Sequence, residues 1–376
     1  MTIEFIGIAA TQATTTAEQR SGSAGAVTAQ SEAAVPVGPV VNKAYAAELA
    51  RTHEAAGFDR VLIAHTSSMP DGFLVADQVL EATDRLGVLL AHRPGFLAPT
   101  LAARAYATLE NLHPGRVAMH VITGGDDADQ ARDGDWTDKP TRYRRTDDFL
   151  TVVRKTWEST ERFDHDGEFY RVADSWSSVR PTVPIPVYFG GASEDAVRVG
   201  GKHADAYAFW GEPLEGIRER IEQVRAAAAP YGRSPRFSVS LRPIVADTEE
   251  AAWARAEAIL EQTRRTAGWQ APDRRIGTTF GEQAEGARRL MAAAQDKEVH
   301  DKRLWTALAK ATGASYNSTA LVGTPEQVAE ALLDYVDLGV TTLLIRGFDP
   351  LADAKRYARV IELVRAGAGS HQPVAV

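Results

Sequence analysis

The chain contains no cysteine, which excludes a disulfide framework, a thiolate nucleophile and any Cys-ligated zinc or iron–sulfur site. No run approaches the ~18 apolar residues of a membrane helix. The first residues carry Glu4 and lack the basic stretch of a secretion signal. They read as a buried strand, and cytoplasmic location is the expectation. A basic excess is also missing: 50 acidic residues stand against 42 basic ones, for a net charge of −8. That balance argues against nucleic acid or an anionic membrane as the main partner. The nine histidines include no HxxxH pair and no HExxH, so no metal is expected. Walker and GxGxxG signatures are absent too.

What is there suits one large α/β domain. The 376 residues are 44% hydrophobic and 24% charged, an ordinary globular balance. Apolar strands are expected at 3–9, 60–64, 87–91, 116–122, 186–190, 206–209, 236–246 and 340–345. Amphipathic helices follow them, the clearest opened by Thr324, Pro325 and Gln327 as a capping box with proline at the first position. Continuous apolar strands alternating with helices imply a parallel sheet. Eight such units in a single domain, 1–376, fit a (β/α)8 TIM barrel. Two segments interrupt the rhythm. Residues 10–39 are a small-residue loop after the first strand, readable as a lid or a passive insertion. Residues 264–320, a mixed and partly helical stretch with Trp305, form an insertion between strands seven and eight.

In such a barrel chemistry gathers at the C-terminal strand ends. His65 follows the second strand, as a catalytic or a structural histidine. Thr123-Gly124 leaves the fourth strand as a polar turn. Gly190-Gly191-Ala192-Ser193 precedes a helix, so its amides suit a phosphate, although a plain capped turn has the same sequence. Arg242 lies inside an apolar strand. Counting by two places Ser238, Ser240 and Arg242 on one face, expected to be the lumen. Arg242 is then a substrate anchor or the partner of a buried carboxylate such as Asp247 or one from the insertion.

Several segments together resemble the bacterial-luciferase-like flavin monooxygenases, nearest the alkanesulfonate monooxygenase branch. They are Gly57-Phe-Asp-Arg-Val-Leu-Ile, Arg93-Pro with Ala98-Pro-Thr-Leu-Ala-Ala-Arg, and Gly115-Arg-Val-Ala-Met-His-Val-Ile-Thr-Gly. Arg142-Tyr-Arg-Arg-Thr-Asp-Asp-Phe, Asp166-Gly-Glu-Phe-Tyr, Pro186-Val-Tyr-Phe-Gly-Gly-Ala-Ser, Phe209-Trp-Gly-Glu-Pro and Ala320-Leu-Val-Gly-Thr-Pro-Glu-Gln-Val-Ala follow in family order. The resemblance implies a TIM barrel that takes reduced FMN from a separate NAD(P)H:flavin reductase and uses O2 to oxygenate a small organic substrate, an alkanesulfonate or a nitrogen heterocycle. It implies a homodimer or homotetramer. Cofactor contacts would fall on Ala91, His120, Thr123, Gly124, Tyr143, Gly191, Ala192 and Ser193, with a cis peptide near Leu90–Ala91. His65 aligns with the luciferase active-site histidine and, with Arg242, is the catalytic candidate. Trp210, Ser240, Arg242 and Phe348 are the substrate-side candidates. The chain departs from the sulfonate branch at Met69, at Ser240-Leu241-Arg242, at Phe348 and near Ala314, keeping only Trp210 of that pocket. An F420-dependent oxidoreductase and a non-catalytic flavin-binding barrel are the alternative readings.

Overall fold

The segment Gly87–His92 reads Gly-Val-Leu-Leu-Ala-His, and all six residues are buried. A strand hidden on both faces must lie between two apolar layers. The computed structural model describes residues 2–15, 35–267, 284–314 and 319–370. In it, eight parallel strands run between the lumen and the helices: β1 (Glu4–Ile8), β2 (Arg60–Ile63), β3 (Gly87–His92), β4 (Val117–Val121), β5 (Val187–Gly190), β6 (Ala206–Trp210), β7 (Arg236–Val245) and β8 (Val340–Ile345). Each pairs with the next, and β8 returns to β1 with Glu4 opposite Thr342 and Ile6 opposite Leu344. The sheet closes, giving the (β/α)8 barrel expected from the strand count.

Alternation along the strands builds two cores. Ile6, Leu62, Leu89, Ala118, Tyr188, Ala206 and Leu344 pack inside the barrel. Phe5, Val61, Val88 and Val117 face outward and join the layer beneath the helices. Polar groups close the N-terminal end of the lumen. Glu4 accepts from Arg60 Nε at 2.9 Å, from Thr342 Oγ1 at 3.1 Å and from the Tyr188 hydroxyl.

β7 is ten residues long where β2 has four, and this mismatch creates the insertion. Up to Leu241 it pairs with β8; from Arg242 onward its neighbour is the strand Ala320–Gly323. That strand carries the antiparallel pair Val299–His300 and Leu304–Trp305. Together with the helix Glu249–Ala267, they enclose a third core of Ile244, Ala256, Leu260, Trp305, Leu308, Val322 and Phe348. Over the expected insertion, 264–320, the sequence pattern is mixed and partly helical. The short strands escape that reading because two to four residues carry no measurable alternation. A helix, Glu285–Asp296, does lie within it.

The expected loop 10–39 is also more ordered at its ends than its composition suggests. Ala13–Thr15 and Val35–Val37 pair antiparallel, and residues 16–34 lie outside the described residues. No helix among the described residues is long and apolar enough to cross a membrane.

Candidate active site

A cavity of about 330 Å³ opens at the C-terminal ends of the strands, within the ~300–1,000 Å³ usual for small-molecule sites. Every barrel strand from β2 to β8, or the turn that follows it, contributes to its wall. The expected cofactor residues Ala91, His120, Thr123, Gly124, Tyr143, Gly191, Ala192 and Ser193 all line it, as do His65, Trp210 and Ser240.

The wall after β5 is built around Gly191. Its φ is +147°, and a Cβ there would lie 2.5 Å from the Ala196 Cβ and 3.1 Å from the Tyr143 hydroxyl. Only glycine lets the backbone run this close to the helix Glu194–His203. Ser193 caps that helix, accepting from the Ala196 N–H at 3.3 Å. Among the described residues the N–H groups of Ala192 and Ser193 have no acceptor. Tyr143 reaches the same corner from the helix Lys139–Glu158. Burial holds its phenol above the ordinary value, against a hydrogen bond with Ser193 that lowers it, so Tyr143 stays a neutral donor at neutral pH. Asp195, in the first helical turn, is drawn to Arg198 at 3.1 Å.

Across the cavity stands His65. Burial and then the Arg93 guanidinium lower its pKa, while Asp133, Asp129 and Asp71 oppose them. Its Nε2 is buried and has no partner among the described residues. Arg93 pairs with Asp129 at 2.5 Å, and Asp129 also accepts from Ser67 N–H at 3.1 Å and Ser67 Oγ at 2.6 Å. This bond set ties the exits of β2 and β3 to the short helix Asp127–Arg132. His120 on β4 is pulled down by burial to about 4, so its ring is neutral, and its Nδ1 has no partner among the described residues.

Two residues expected on the substrate side sit elsewhere. Arg242 and Phe348 do not line the cavity; the guanidinium lies 4.9 Å over the Phe348 ring, and both are buried. The reason is the change of neighbour at that point of β7. Ser238 and Ser240 alternate into the lumen as expected, but Arg242 lies beyond the last β7–β8 pair, where the insertion replaces β8. The resemblance implied a cis link near Leu90–Ala91; every described peptide bond is trans.

The cavity wall also holds four cations, Arg93, Lys139, Arg220 and Arg346, of which Lys139 and Arg220 were not expected there from the sequence. Two of these left a trace in the pattern. Lys139 precedes Tyr143 by four positions on one helix, hence on one face. Arg220 falls on the buried stripe Ile217, Arg220, Ile221, Val224 of the helix Leu214–Ala228, a place where a charge needs a reason.

The family model described as luciferase-like monooxygenase matches residues 16–342. The chain belongs to the luciferase-like monooxygenase family. It is thus an enzyme of the luciferase-like monooxygenase type. Solved structures share its fold at low identity. Riboflavin lyase, with modified FMN and its substrate riboflavin, is 19% identical with a TM-score of 0.76, over 99% of this chain and 93% of that one. EDTA monooxygenase from Chelativorans sp. BNC1 is 17% identical with a TM-score of 0.74, over 99% and 95%. An F420-dependent secondary alcohol dehydrogenase is 17% identical with a TM-score of 0.67, over 97% and 99%.

Proposed function

We propose that this luciferase-like cavity takes reduced FMN from a separate NAD(P)H:flavin reductase and uses O2 to oxygenate a small organic substrate, a sulfonate or a compact nitrogen heterocycle. The carrying observation is the turn after β5. Free amides of Ala192 and Ser193 at a helix start, the Ser193 hydroxyl and the neutral Tyr143 phenol converge on one corner, as a phosphate ester requires. A Cβ at Gly191 would fill that cradle.

The residues present fit FMN on both sides of the cavity. Ala91, His120, Thr123 and Gly124 supply the wall next to the turn, with a neutral imidazole and backbone groups for the ring system. Bound FMN would supply the two-electron reduction that activates O2. The protein binds it, excludes water from the apolar floor of Leu62, Leu89 and Leu344, and manages protons. His65 is neutral at neutral pH and holds a buried, unpartnered Nε2, so it takes up or returns a proton at that atom. Ser238, Ser240 and Trp210 offer hydroxyls and a ring to the substrate.

The test is oxygen uptake with NADH, a flavin reductase, catalytic FMN and a panel of sulfonates and heterocycles. One substrate consumed in step with O2, and oxygenated by mass spectrometry, is the expected result. Turnover of an alcohol with F420 and no O2 requirement would replace this reading by the hydride-transfer alternative.

A further inference from the structure

Arg220 is only 3% exposed, yet it comes from a helix whose neighbouring charges, Arg218 and Glu219, face solvent. Its guanidinium is spent on backbone oxygen. Nη2 donates to Gly191 O at 2.9 Å and Nη1 to Ala192 O at 3.0 Å. Nη1 also donates to Gln223 Oε1 at 2.8 Å, and the group lies 5.9 Å over the Phe209 ring. Tyr207 adds a second donor to Gly191 O, at 2.9 Å. Two consecutive carbonyls of the turn are therefore held from one side by one rigid fork.

Peptide geometry decides what this does. In a trans peptide the C=O of one residue and the N–H of the next point in opposite directions. Holding Gly191 O and Ala192 O toward Arg220 turns the N–H groups of Ala192 and Ser193 away from it, and these are the amides that have no acceptor among the described residues. A cation on each carbonyl also polarises the amide and strengthens the N–H as a donor, by about 10–30% per bond in a chain of such bonds.

We propose that Arg220 is the positioning residue of the phosphate turn, setting the direction and donor strength of the Ala192 and Ser193 amides through their carbonyls; this rests on the FMN reading above. Arg220 thereby determines how strongly the protein prefers a flavin with a phosphate to one without.

The test compares the affinity of the apo-protein for FMN and for riboflavin, read by flavin fluorescence. Wild type should prefer FMN by about thirtyfold or more. Arg220→Met should lose most of that preference while riboflavin affinity stays within about threefold. Arg220→Lys should recover only a small part, because one ammonium cannot bridge two carbonyls in fixed directions. Tyr207→Phe, which removes one bond to the same carbonyl, should lower the preference by about threefold; it decides the matter if Arg220→Met does not fold. An unchanged FMN-to-riboflavin ratio in Arg220→Met, or in Tyr207→Phe if it must stand in, overturns the inference. So do equal losses for both flavins, or full rescue by lysine. A wild-type protein with no preference for FMN overturns the phosphate reading itself.

Discussion

Replacing Gly191 by alanine or valine perturbs the turn at its tightest point. The new Cβ would start 2.5 Å from the Ala196 Cβ, and ordinary contact begins near 3.4 Å, so turn and helix must part by about 0.9 Å. The φ of +147° adds strain of about 1–3 kcal/mol for a residue with a side chain. A shift of that size takes the Ala192 and Ser193 amides out of hydrogen-bond range of a phosphate oxygen. Hydrogen bonds to a charged group contribute about 1.5–3 kcal/mol each, and about 1.4 kcal/mol is tenfold in affinity. The loss of even one predicts an FMN dissociation constant raised about tenfold or more, with valine worse than alanine. Riboflavin, which has no phosphate, should bind as before. Calorimetric titration with both flavins on the folded variants checks this. An FMN constant unchanged in Gly191→Val would refute the placement of phosphate at this turn.

Other substitutions probe the rest of the site. His65→Ala should lower turnover by about tenfold or more while FMN affinity holds; turnover within about twofold of wild type would make the residue structural. Arg242→Met removes a buried cation–π contact of about 2 kcal/mol, so the denaturation midpoint should fall while the Michaelis constant is kept; a stable variant with a Michaelis constant raised about tenfold would return the substrate anchor to Arg242. Arg289 pairs with Glu212 at 2.7 Å and Glu219 at 2.9 Å, fastening the helix Glu285–Asp296 to the exit of β6, and Arg289→Met should speed amide exchange in that helix, whereas unchanged exchange would show the pair to be dispensable. Burial pulls His53, His92 and His120 down to about 4, 3 and 4. Unfolded, they titrate near ~6.5, so unfolding takes up protons and stability falls as pH drops from about 6.5 toward 4. A melting temperature flat between neutral pH and pH 5 would contradict that.

The barrel was legible because runs such as 87–91 are apolar along their whole length, as a strand between two apolar layers must be. The turn at Gly190–Ser193 was legible as two glycines before a capped helix, although its alternative, a plain turn, differs only in three dimensions. Arg242 shows the limit of counting by two. Alternation says which side of a strand a residue faces, but which neighbour stands there depends on where β8 ends and Ala320–Gly323 begins. Arg220 shows the opposite case. Its place on an apolar stripe was visible, but its partners are carbonyls about thirty residues away in sequence, and backbone oxygen leaves no mark on a sequence. The insertion hairpin escaped for want of length, since its strands have two residues each.

Everything proposed for the site depends on a cavity built for reduced FMN. An anaerobic equilibrium titration of the apo-protein with FMNH2 and with reduced F420, under identical conditions, tests it most directly. FMNH2 should saturate one site per chain, with reduced F420 binding about a hundredfold more weakly. Tighter binding of reduced F420, or no saturable binding of FMNH2, would contradict it.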